Sequence, residues 1–198
     1  MNLLIAARCT ALLVLAVSLP AAGSTITLAA SQDAWIVDAD VYRDSNFGYT
    51  DFVWADWSAP TNALISFDLA SISKGSKITS ASLRLYHSAN AQFGQNLYAY
   101  RNLADWSEDT VTASNAPGFE ATPVSTLLIL DGDVNVYREW DISSVVQGWV
   151  NGTFLNAGLR LGKDATGGAT PYLSSREATV GMPELVITYE AGSSSDPQ

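Results

Sequence analysis

The sequence predicts an all-β domain, a sandwich or barrel of antiparallel strands carrying one short helix. Three observations predict it. After residue 31 the chain is a succession of short apolar or alternating runs separated by Gly, Pro, Asn, Asp and Ser clusters, the punctuation of all-β folds. In the run Ile78 to Tyr86, Ala81, Leu83 and Leu85 share one parity while Ser82, Arg84 and Tyr86 share the other, so one face is expected in the core and the other in solvent. A single segment, residues 142 to 150, departs from the period of two.

The expected strands are Ala34 to Val37, Phe52 to Ala55, Ala63 to Phe67, Ile78 to Tyr86, Leu97 to Arg101, Val124 to Ile129, Val136 to Trp140, Gly158 to Gly162, Tyr172 to Ser175 and Leu185 to Tyr189. Phe52 and Trp54 share parity and are read as pointing inward. In the helical segment, Ile142, Val145, Val146, Trp149 and Val150 recur at helical spacing. Asp141 is placed to cap its first turn and Asn151-Gly152 to end it. The helix should plug one end of the sandwich.

The N-terminus reads as a secretory signal peptide over residues 1–23. Arg8 supplies the positive charge, Ala11 to Leu19 the apolar run, and Pro20 with Ala21-Ala22-Gly23-Ser24 the small-residue site. Cleavage is placed after Gly23, because a cut after Ala30 would put the larger Leu28 at a small-residue position. The run is short for a bilayer span, which needs roughly 20 apolar residues, and no later segment is longer. The expected product is a secreted, extracellular domain over residues 24–190 with a flexible tail at 191–198 (AGSSSDPQ).

Composition narrows the function. The chain carries 10 basic and 20 acidic side chains, a formal net charge of −10. Losing Arg8 with the signal makes the mature part more acidic still, which argues against nucleic acid as a partner. The one cysteine, Cys9, lies in the signal, so thiol, disulfide and cysteine-metal chemistry are not expected. Catalysis has little to work with. The one histidine, His87, sits just beyond an expected strand, and neither a nucleophile elbow, a zinc spacing nor a phosphate loop is present. The carboxylate pairs Asp131 with Asp133 and Glu139 with Asp141 could serve a glycosidase only in a suitable cleft. The expectation is a protein that is not an enzyme.

Two groups of residues are candidates for binding. Asp38, Asp40, Asp44, Asp51 and Asp56, with Asn46 among them, form the densest polar cluster, and calcium takes about six to eight oxygen ligands of this kind. Their spacing imitates the start of an EF-hand loop, but Arg43 stands where that loop needs glycine and Tyr49 where it needs its last carboxylate. The alternative is a set of Asx turns at Asp44 and Asn46, with Gly48 supplying a positive φ. The second group is aromatic, since flat rings stack on sugar faces. Trp57 lies in the polar loop Asp56 to Thr61 with no periodic reason to be buried. Tyr86, Tyr98 and Tyr100, with Arg84, are expected to share an outward sheet face, where ordinary cross-strand pairing is the competing explanation. Arg176 and Glu177 fall at opposite strand parity, so Arg176 is expected to bond a carboxylate elsewhere.

Seven landmarks in order carry a resemblance: DSNFG (Asp44 to Gly48), ISFDLASI (Ile65 to Ile72), ITSASLRLY (Ile78 to Tyr86), WSEDTVTASNAP (Trp106 to Pro117), WDISSVVQGWVNG (Trp140 to Gly152), SSRE (Ser174 to Glu177) and PELVITY (Pro183 to Tyr189). Together they resemble the DNRLRE, or disaggregatase-related, domain, also classed as carbohydrate-binding module family 96. The resemblance implies a jelly-roll-like β-sandwich found outside cells, often attached to polysaccharide-active enzymes and in some members binding alginate or other acidic glycans. This chain departs from the pattern at Ala113, where relatives carry tryptophan, and at Ser66, where a basic residue is common. The leading expectation is a non-catalytic carbohydrate-binding module for an extracellular or cell-wall polysaccharide. The alternative is a structural matrix or cell-surface protein that self-assembles without binding glycan. The net charge favours a neutral glycan, or an acidic one bridged by calcium.

Overall fold

The computed structural model describes residues 23–55, 60–89, 94–130, 132–163 and 171–192. Within them lie β1 (Ser24–Ala29), β2 (Gln32–Val37), β3 (Phe52–Trp54), β4 (Thr61–Ser66), β5 (Lys77–Ala89), β6 (Gln95–Arg101), β7 (Ser125–Ile129), β8 (Val136–Asp141), α1 (Ser143–Asn151), β9 (Leu159–Lys163), β10 (Tyr172–Ser174) and β11 (Glu184–Glu190). Each expected strand forms. β1 was not expected, although Ile26 and Leu28 alternate with threonines and pack against the core. It lies directly beyond the small-residue stretch read as signal, and its alternation is only six residues long.

The strands build two antiparallel sheets packed as a sandwich. In the first, β5 is 13 residues long and is paired on both sides. β8 takes one side, while β11 and then β10 share the other, with β1 beyond β11 and β3 beyond β10. The second sheet runs β2-β4-β9-β6-β7. From β1 to β6 the chain changes sheet at every connection, a jelly-roll-like path. Ala81, Leu83 and Leu85 of β5, Leu185 and Ile187 of β11, Leu173 of β10 and Val53 of β3 face Ala63, Ile65, Leu97, Leu159 and Leu161 of the second sheet across one core. His87 belongs to β5, inside the strand and not beyond it, and is fully buried with Nδ1 bonded to the Asp133 carbonyl.

α1 adds Val145, Val146, Trp149 and Val150 to this core. Its Gln147 reaches back to β5, accepting from the Ile78 N–H at 2.8 Å and donating to the Ser76 carbonyl at 3.0 Å. The capping residue is Ile142 and not Asp141, which is still the last residue of β8. Asp141 nevertheless accepts from the Ser143 hydroxyl at 2.6 Å and its N–H at 2.9 Å, and the hydroxyl first, then the N–H, holds its carboxyl below the usual range. Gly152 ends the helix as expected, at φ 73°.

Phe52 and Trp54 do not point inward. Pairing with β10 sets Val53 opposite Leu173, and these two enter the core. Phe52 and Trp54 take the other face beside Tyr172, with ring centroids 5.0 Å and 5.6 Å from it. Trp35 of β2 reaches this edge, stacks on Phe47 at 3.9 Å and lies 5.7 Å from both Phe52 and Trp54. Two large rings outweigh one valine in a hydropathy count, but on a three-residue edge strand the partner strand decides the parity.

A second, small core forms where the segment after β6 folds over the outer face of the second sheet. Val111, with Trp106, Ala113 and Ala116, packs on Ala34, Ile36 and Leu64. Asn46 fastens it by donating to the carbonyls of Glu108 at 2.7 Å and Val111 at 2.8 Å. Its Oδ1 accepts from the Gly48 N–H at 3.3 Å, closing the expected Asx turn. Gly48 itself does not have a positive φ. It is glycine because a Cβ there would collide with the Glu108 carbonyl.

Glu108 is the centre of an ionic knot. Its carboxylate accepts from the Asp33 N–H at 2.9 Å and from Arg176 Nη1 at 2.5 Å, and Asp33 accepts from the Arg176 N–H at 2.7 Å. Arg176 thus bonds a distant carboxylate, as expected. Residues 176–177 form a turn and not a strand, so Glu177 also comes within 3.7 Å of Arg176 Nε.

Asp33 is almost wholly buried, and burial, against the lowering effect of the Arg176 N–H, pushes its carboxyl up to about 7 from 3.8. Between those values the folded protein keeps a proton that the unfolded chain has released. The stability this group contributes is therefore complete below about pH 4 and lost as pH rises through about 7. In urea titrations across that window, Asp33→Asn, which keeps the acceptor, should gain stability relative to the parent as pH rises and then level off. A constant difference at every pH would contradict this.

Candidate functional site

The alternation of β5 puts Arg84, Tyr86 and Ser88 on the outer face of the first sheet. Pairing with β10, and of β10 with β3, brings Tyr172, Ser174 and Phe52 alongside. A cleft of about 600 Å³ opens there, lined by Phe52, Tyr86 and Tyr172, by the polar groups of Asp51, Ser88, Asn135 and Ser174, and by a wall of Ala178, Thr179 and Val180. Gly181, at φ 73°, lays its backbone on the Tyr86 ring so closely that any Cβ would collide with it. The wall is thereby held against the tyrosine that floors the cleft. Tyr86 also meets Tyr137 edge-on, with centroids 5.4 Å apart.

Arg84 lies on this face outside the cleft. Its guanidinium bonds Glu184 at 2.5 Å and Glu139 at 3.1 Å and sits 4.4 Å over the Tyr137 ring. Burial first, and the Glu184 charge second, raise the Tyr137 hydroxyl above its ordinary pKa. With both carboxylates engaged, Arg84 is committed to holding β5, β8 and β11 together.

Tyr98 and Tyr100 do not share a face with Tyr86 and Arg84. They lie on β6, in the second sheet, and point away from the other side of the sandwich. The reason is topological: β5 and β6 are consecutive, but the connection crosses from one sheet to the other, which parity alone cannot reveal. Tyr100 meets Phe119 edge-on at 5.2 Å beside a cavity of about 190 Å³ that also includes Asn62 and Lys163. Trp57 and Asp56 lie outside the described residues, as does Asp131.

The N-terminal aspartates are not drawn together. Among the described residues, the group of carboxylates whose oxygens converge within 4.8 Å is Asp33, Glu108 and Glu177, and not Asp38, Asp40, Asp44 and Asp51. Asp51 lines the cleft on the first sheet and Asp38 a cavity on the second, where Asp38 pairs with Arg43. The spacing of these residues measured proximity along the chain, and the turns between them dispersed their side chains. In the convergent group Arg176 already supplies a positive charge, bonded to one carboxylate directly and to another through its N–H.

The sequence reasoning missed Tyr172, Phe52 and Asn135 as cleft residues. A signal for Tyr172 existed in its parity opposite the buried Leu173, but its meeting with Tyr86 needs the β5–β10 register. Asn135 has a positive φ of 61°, and nothing in the sequence beyond its residue type marked it.

Comparison with curated proteins returned no match. The profile of carbohydrate-binding module family 96 matches residues 24–189, from the first residue of β1 to the penultimate residue of β11, and the chain belongs to that family.

Proposed function

We propose that the protein is a secreted, non-catalytic module that holds a neutral polysaccharide in the cleft on the outer face of the first sheet. The observation that carries this reading is the cleft's lining among the described residues: three aromatic side chains and five polar ones, with no lysine or arginine and one carboxylate, Asp51. Rings give stacking area, and Ser88, Ser174 and Asn135 give neutral hydrogen bonds, a combination suited to hydroxyl-bearing sugars. A polyanion would meet Asp51 and a net charge of −10.

The non-catalytic part of the reading is supported by the same lining, since glycoside hydrolysis ordinarily uses two carboxyl groups flanking the bond. Of the four carboxylates singled out in the sequence, Asp131 lies outside the described residues and the other three are engaged. Asp133 pairs with Arg138 at 3.1 Å, Glu139 with Arg84, and Asp141 with Ser143. Secretion is supported by the N-terminal charge, apolar run and small residues, and by the start of the family match at residue 24, directly after the expected cleavage site. No helix among the described residues is long and apolar enough to cross a membrane.

Affinity electrophoresis followed by calorimetry should find binding to a neutral polysaccharide, equal with calcium and with EDTA. Tyr172→Ala should weaken it at least about fivefold, on the order of 1 kcal/mol, without changing the fold. Failure to bind every neutral and acidic glycan, together with concentration-dependent self-association, would replace this reading with a structural one. Binding that vanishes in EDTA would restore a calcium requirement. For export, the N-terminal residue of the protein recovered from the medium should be Ser24; an intact Met1 on exported protein would refute the signal.

A further inference from the structure

The opposite face of the sandwich carries a charge that no carboxylate among the described residues neutralises. Arg160, the second residue of β9, points outward beside Leu64 of β4 and is only 8% exposed. Its Nη2 donates to the Pro117 carbonyl at 2.9 Å, its guanidinium lies 4.4 Å over the Phe119 ring, and its Nε is buried with no partner. Among the described residues no carboxylate pairs with it. Burial alone lowers its pKa, to about 10, so it remains a cation at neutral pH.

Buried guanidinium groups are ordinarily paired, because desolvating a charge costs more than one neutral hydrogen bond and a ring face return. Arg160 instead lines a cavity of about 340 Å³, with Asn62, Pro60, Ala113, Ala116 and Phe119 among its walls. Asp38 also lines the cavity, but its carboxylate is bonded to Arg43. Arg160 therefore has its charge, an unused Nε–H and an adjoining space, but no paired anion among the described residues.

We propose that this cavity is a second binding site, separate from the cleft on the first sheet, and that it takes one carboxylate group, which completes the pairing of Arg160. A guanidinium recognises a carboxylate through parallel N–H bonds. Asn62 offers an amide at the wall, and the small Ala113 leaves the room that a larger side chain would fill. The overall acidity of the protein does not oppose this. At the scale of a few ångströms a desolvated, unpaired cation dominates charges that lie beyond it in solvent.

The test is a titration of the whole ¹⁵N-labelled protein, following the Arg160 Nε–Hε resonance, assigned with Arg160→Lys. Glucuronate, acetate and glucose are added separately at constant ionic strength. Glucuronate and acetate should shift the resonance saturably, and glucose should not. Glucuronate tighter than acetate by about tenfold or more would show that the cavity wall reads a sugar ring as well. Equal affinities would show that the carboxylate alone is read, and both results support the site. Arg160→Leu should abolish carboxylate binding. Ala113→Trp, which keeps the arginine but fills the cavity, should abolish it too and covers the case in which the leucine variant fails to fold. Tyr172→Ala, on the opposite face, should leave it unchanged. An Nε–Hε signal unmoved by either carboxylate, or moved as much by glucose, would overturn the proposal.

Discussion

Because Lys77–Ala89 stays extended for 13 residues, three strands can pair with it at once, and the rest of the first sheet is assembled from that fact. β11 and β10 line up end to end along one of its edges while β8 occupies the other. Its alternation then does two jobs. The inward residues Ala81, Leu83, Leu85 and His87 are all buried, which fixes the register, since a slip by one residue would expose every one of them. The outward residues Arg84, Tyr86 and Ser88 are thereby placed without further choice. Arg84 becomes the clamp on Glu139 and Glu184, and Tyr86 becomes the floor of the cleft.

Beyond the shared core, polar groups at the rim also tie the second sheet to the first. Glu108, Arg176 and Asp33 bring together β2, the segment after β6 and the turn after β10, elements distant in sequence. Such a knot adds specificity more readily than raw stability, since desolvating its charges offsets much of their attraction. Its geometric consequence matters more here. The segment carrying Trp106, Glu108 and Val111 lies over β2 and β4, and its continuation lays Pro117 and Phe119 against Arg160 of β9 and Tyr100 of β6, where cavities remain.

Much of the fold was legible because it rests on short-range rules. Period two in β5, helical spacing from Ile142 to Val150, and Gly152 after the helix each depend on neighbours a few residues away. The site was less legible, because it depends on which strands meet. Tyr86 could be assigned outward from its own strand, but whether Tyr98 or Tyr172 would lie beside it depended on sheet membership. Alternation does not encode that. The same limit explains Phe52 and Trp54, whose direction was set by Leu173 across the sheet, and the aspartates from Asp38 to Asp51, close in sequence and separated by the fold. Arg160 was hidden for a further reason: a lone arginine in a strand looks like a solvated residue until its burial is known.

Hydrogen exchange measured with and without the tightest-binding polysaccharide tests most directly the proposed seating of a glycan on the face built on β5 and β10. Protection should rise in the turn at residues 176–182, around Asp51 and around Asn135, all of which border the cleft, and remain unchanged in the segment at residues 111–119 on the opposite face. Protection confined to residues 111–119, with the cleft segments unaffected, would contradict the account.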